Sequence, residues 1–214
     1  MSAAEALIEQ SGLSEGARAD ILCRHAEPHR RYHDLTHIDA LACEAARLDW
    51  IDPQPVRLAI LYHDIVYRPG SATNEADSAA HMRAQLSGHI PAHVLERAGA
   101  LIKATAAHAW PDAGDRDALR FLDIDMGILG SPREDYARYA RQVRAEFTRI
   151  PKPLYNRGRS RVLAGFLDRE RLYLSETYHA RLDAPARANM RWELETALGR
   201  PGKRAARKRG GASG

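Results

Sequence analysis

The chain has 214 residues, 44% hydrophobic and 28% charged, a length and balance expected of a single soluble globular domain. Fifteen Gly and eleven Pro without a period exclude collagen-like and mucin-like chains, and no apolar run approaches the roughly 20 residues that span a bilayer. The net charge of +4 arises at the end of the chain, where residues 199–214 carry six Lys or Arg and no acid, leaving 26 basic against 28 acidic residues elsewhere.

Helix signals follow one another along the chain. Strand alternation and Asn-Gly or Asp-Gly hairpin turns are absent. Ser11-Gly12 closes a first short helix, and Ser14 opens a second that stops before Pro28. Leu35, Ile38, Leu41, Ala42, Ala45 and Leu48 follow a 3.6-residue period. Asp52-Pro53 opens a helix expected to run to about Tyr67, where Arg68-Pro69-Gly70 stops it. Thr73 or Asn74 caps the next, ended by Gly88, and Pro91 begins another that reaches about His108. Asp115 to Leu129 reads as helical. Ser131-Pro132-Arg133-Glu134 has the form of a capping box with Pro at the first helical position, opening a helix to Arg149. Two or three further helices fill 153–198. The expectation is an all-α single bundle of roughly nine helices over residues 1–198, followed by a disordered basic tail at 199–214.

The chemistry concentrates in three clusters that place charge in otherwise helical, apolar surroundings. The first is Arg31-Tyr32-His33-Asp34-Leu35-Thr36-His37. A helix through it would put His33 and His37 on one face, about 6 Å apart at Cβ. The second is His63-Asp64 within Ala59 to Tyr67, apolar apart from that dipeptide. Burying the two costs several kcal/mol unless they are paired or hold a cation. They suit either a hydrogen-bonded pair at a packing site or two ligands of a divalent metal. The third is Asp123 and Asp125 within Phe121 to Leu129. Lys103, Arg157 and Arg159 are candidate phosphate clamps. His108 is a candidate for a second metal or for phosphate.

A His, then a His-Asp dipeptide, then a distant Asp resembles the HD-domain superfamily of metal-dependent phosphohydrolases over about residues 20–130. Tyr32-His33 with His37 is similar to the Tyr-His-Asn-x-x-His segment of cyclic-nucleotide phosphodiesterases. Pro69-Gly70 and Asn74 after His63-Asp64 look like their second motif. Tyr155, Gly158-Arg159 and the last helices extend the likeness to a bacterial group of predicted HD phosphohydrolases. The resemblance implies His37, His63, Asp64 and Asp125 as metal ligands, with Asp123 as the fallback or as support behind them. It implies His33 as proton donor to the leaving oxygen and Glu75 as a residue that supports the site or orients water. Many two-metal relatives carry a His near the position of Asn74. Here His81 is the nearest, so the resemblance favours one tightly bound ion and leaves a second open.

The implied activity is hydrolysis of a small phosphorylated substrate by metal-activated water. The mixed His and Asp set suits Mn, Fe, Co, Ni or Zn. Two other readings use the same residues: a di-iron oxygenase, which some HD-fold proteins are, and a module that binds a nucleotide without turnover. The N-terminus lacks the basic and apolar regions of a signal peptide. With only Cys23 and Cys43, the expectation is a cytoplasmic protein with reduced thiols and no membrane partner. Nucleic acid would meet only the weak electrostatics of the tail.

Overall fold

A computed structural model describes residues 1–198; the basic segment 199–214, expected to be a disordered tail, lies outside the described residues. Among these, ten α-helices and one 3₁₀ turn account for the regular structure and no strand is present. They are α1 (Ala3–Gln10), α2 (Glu15–His25), α3 (Leu35–Ala45), α4 (Pro53–Tyr62), α5 (Asn74–Leu86), α6 (Ala92–Ala104), α7 (Arg116–Asp125), the 3₁₀ turn Met126–Gly130, α8 (Arg133–Glu146), α9 (Lys152–Leu167) and α10 (Glu176–Thr196). None is long and apolar enough to cross a membrane. Cys23 and Cys43 are both free and exposed.

The core is arranged around α4. Leu58, Ala59, Ile60, Leu61 and Tyr62 are fully buried there, and Val56 nearly so. A helix apolar on nearly every side must be covered on every side, and α1, α3, α5, α6 and α7 all pack against it. Pro53 at the first helical position presets the entry.

α4 stops at Tyr62, five residues short of the expected Tyr67. Long-range partners take over the backbone groups that further helix would have paired. The buried guanidinium of Arg30 donates to the carbonyls of His33 (3.0 Å), Asp64 (2.7 Å) and Ile65 (3.1 Å). Ser78 Oγ accepts the N–H of Val66, and the Asn74 amide bonds both the N–H and the carbonyl of Arg68. His63 is therefore the C-cap residue of α4, and Asp64 lies in the turn beyond it.

Other boundaries differ from expectation: α6 ends at Ala104 rather than about His108, and α8 at Glu146 rather than Arg149. His33 precedes the cap residue Asp34, whose carboxylate accepts the N–H of Thr36, so α3 includes His37 but not His33. No capping box opens α8: Pro132 is extended, and the helix begins one residue later. α10 crosses the 3₁₀ turn closely, since a Cβ on Gly130 would lie 2.7 Å from Leu182 Cβ. Only glycine permits that approach.

Candidate metal centre

The ends of α3, α4 and α7 meet. His37 enters from the first turn of α3, His63 from the C-cap of α4, and Asp125 from the last residue of α7. The Nε2 atoms of His37 and His63, both buried, face each other at 3.1 Å. Asp125 Oδ1 lies 3.3 Å from His37 Nε2 and 3.5 Å from His63 Nε2. Asp64 Oδ2 lies 3.1 Å from His63 Nε2 and 3.8 Å from His37 Nε2. His37, His63 and Asp125 each bring one donor atom within 4.8 Å of the others, a set that could hold a metal ion.

The donor geometry and the electrostatics both fit a cation. Ligand bonds of about 2.1 Å put neighbouring donors about 3.0–3.4 Å apart at right-angled to tetrahedral angles. The spacings here fall in or close to that range. The Nδ1 of His63 lies 3.1 Å from the Ile60 carbonyl, which fixes a proton on Nδ1 and turns Nε2 inward. Burial works against charge throughout the cluster, yet the neighbouring imidazoles hold Asp64 and Asp125 well below the usual carboxylate range. Burial likewise opposes a proton on His63, but Asp64 and Asp125 outweigh it and push its imidazole up to about 10. Two ionised carboxylates in an enclosed site call for positive charge; a divalent ion supplies it without protonating a ligand.

His33, although outside α3, reaches the same place, with its ring 6.0 Å from that of His37. Its Nδ1 donates to Glu146 Oε2 at 2.7 Å, and its ring stacks on Tyr67. Burial disfavours its charged form, but Asp64 and the Glu146 hydrogen bond raise its pKa. Glu146, the last residue of α8, has no place in the sequence reading. One carboxylate oxygen accepts the N–H groups of Arg31, Tyr32 and His33 at 2.8–3.0 Å. The other accepts His33 and the Tyr67 hydroxyl. A signal was present: Tyr136, Val143 and Glu146 are the buried face of α8, and an acid on that stripe needs partners.

His108 lines the same cavity, and its Nε2 bonds Asp125 Oδ2 at 2.9 Å. It is the one non-glycine residue with positive φ (44°) among those described. Arg169 pins that conformation by donating to the carbonyls of Ala107 and His108. Glu75 and Arg159 also line the cavity, which holds about 190 Å³. Arg159 is engaged by Glu193 through both carboxylate oxygens, at 2.9 and 3.1 Å.

Other candidates lie elsewhere. Asp123 is buried but turns away to accept the N–H groups of Leu174 and Ser175 and the Ser175 hydroxyl, anchoring the start of α10. It does not back the ligand cluster. Lys103 and Arg157 are exposed and do not line this cavity. His81 pairs with Asp20 at 2.6 Å, away from the cavity. No protein-family model, curated protein or solved structure matches the chain.

Proposed function

We propose that the chain is a metal-dependent phosphohydrolase of the HD-domain type, with His37, His63, Asp64 and Asp125 as ligands of one divalent transition metal. The reading is carried by two buried imidazole nitrogens 3.1 Å apart, flanked by two carboxylates that stay ionised. Bound there, such an ion lowers the pKa of water toward about 7 and offsets charge on a phosphoryl oxygen.

The rest falls to the chain. His33, its Nδ1 proton committed to Glu146, holds a second proton at Nε2 for the departing oxygen, a role worth roughly 10²–10⁴-fold. Burial opposes that proton, but Asp64 and the Glu146 hydrogen bond raise the pKa of His33 and so favour it. Arg159 brings positive charge to the wall of the cavity, although Glu193 already engages it. Glu75, half-buried on the same wall, is placed to accept a hydrogen bond from water. His81, bonded to Asp20, lends no support to the two-iron reading.

The test is phosphate release from a panel of phosphate esters, with Mn, Co, Ni or Zn added to chelator-treated protein. Release that depends on added metal supports the reading. Release indifferent to chelation, or none with any metal and ester, refutes it.

His108 supports this reading as the residue that orients Asp125. His108→Gly removes backbone strain of about 1–2 kcal/mol along with one hydrogen bond, so the metal-free protein should keep its stability to within about 1 kcal/mol. Metal affinity should fall about 10–100-fold, the usual loss when a group behind a ligand is removed. Titration calorimetry and denaturant unfolding read the two quantities separately.

A further inference from the structure

A second cleft, of about 440 Å³, opens beside the ligand cavity, and the two share Tyr32, His37, Asp125, Ile128 and Tyr139. A molecule with its phosphoryl group at the cluster would extend into this cleft. Its floor is aliphatic, from Leu41, Ile124, Ile128 and Leu182. Its walls carry three tyrosines: Tyr32 and Tyr139, whose rings meet edge to face at 4.5 Å, and Tyr178 from α10.

The charges around the cleft are already matched. Glu44 accepts from Arg181 at 2.9 Å and from the Tyr178 hydroxyl at 2.6 Å, and Arg138 pairs with Asp135 at 2.5 Å. Asp34 is used as the cap of α3. Among the described residues, no Lys or Arg on these walls lacks a carboxylate partner. A second anionic group would find no compensating cation there, whereas a neutral ring would meet aromatic faces and an aliphatic floor.

From this we infer that the substrate is a single-phosphate ester of a neutral, ring-bearing alcohol, with its ring held between the tyrosines of the cleft. This rests on the phosphohydrolase reading, and one arm of the test is independent of it. Ala40 lines the cleft yet is exposed, so Ala40→Trp fills the space without disturbing the core.

For the metal-loaded protein, kcat/KM for benzyl phosphate and adenosine 5′-monophosphate should exceed that for glycerol 2-phosphate and adenosine 5′-diphosphate by roughly tenfold or more. Ala40→Trp should remove that advantage. In the second arm, saturation-transfer NMR should detect uncharged adenosine on the metal-free chain and lose it in Ala40→Trp. Equal turnover of glycerol 2-phosphate, preference for the diphosphate, or no adenosine signal overturns the inference. If no ester is hydrolysed, the phosphohydrolase reading falls, and the adenosine arm still decides what the cleft accepts.

Discussion

His63→Ala should leave the purified protein without transition metal, as read by elemental analysis after expression with that metal in excess. The residue does two things at once. It supplies an Nε2 3.1 Å from that of His37, and its Nδ1 contact with the Ile60 carbonyl turns that atom toward the cluster. Truncation leaves His37 alone with two part-buried carboxylates. The loss should therefore exceed the roughly 10–100-fold that follows removal of a group behind a ligand. Asp125→Ala should behave alike. Asp64→Asn, which keeps the shape of the turn, guards against loss of fold and should also lose metal. Full occupancy in all three variants would refute the ligand assignment.

Glu146→Gln should lower kcat by roughly 10²-fold, the low end of what a positioned acid contributes, with metal content unchanged. The substitution puts an amide where Oε2 accepts from His33 and Tyr67, so the His33 ring loses its anchor. A purely structural role would leave the pH profile of kcat in place; here its alkaline limb should shift downward, because the raised pKa of His33 depends in part on this carboxylate. Stability should respond as well. Burial alone would raise the pKa of Glu146, but the His33 hydrogen bond and the amides of Tyr32 and Arg31 hold it at about 2, below its ordinary 4.5. A carboxyl depressed in the fold stabilises it above the unfolded value, and that share is lost as pH falls from 4.5 to about 2. Melting curves across that window should therefore fall more steeply for the wild type than for Glu146→Gln. Parallel curves would show that Glu146 is not the residue holding the loop.

Local chemistry made most of the helices legible. Asp52-Pro53 and Asp115 mark helix starts that the structure keeps, and the 3.6-residue period of α3 buries Ile38, Leu41, Ala42 and Ala45. Where sequence reasoning overran, tertiary partners had replaced helical hydrogen bonds. Nothing within residues 59–67 reveals that Arg30, more than thirty residues earlier, will take the carbonyls of Asp64 and Ile65. A helix through residues 31–37 would pair His33 with His37. Their rings do lie close, but through a loop tied to Glu146, 113 residues away. Misplaced charge inside apolar segments found His63, Asp64 and Asp125. The same signal at Asp123 marked an anchor for α10, since a buried acid needs partners without specifying which.

The three amides that share Glu146 Oε1 belong to consecutive residues, Arg31, Tyr32 and His33. None of them gains solvent access by fraying alone, because each neighbour still holds the same oxygen. The segment therefore opens as one small cooperative unit, with the carboxylate as its latch. His33 and the peptide groups leading to it become available to water, or are withheld from it, in a single event.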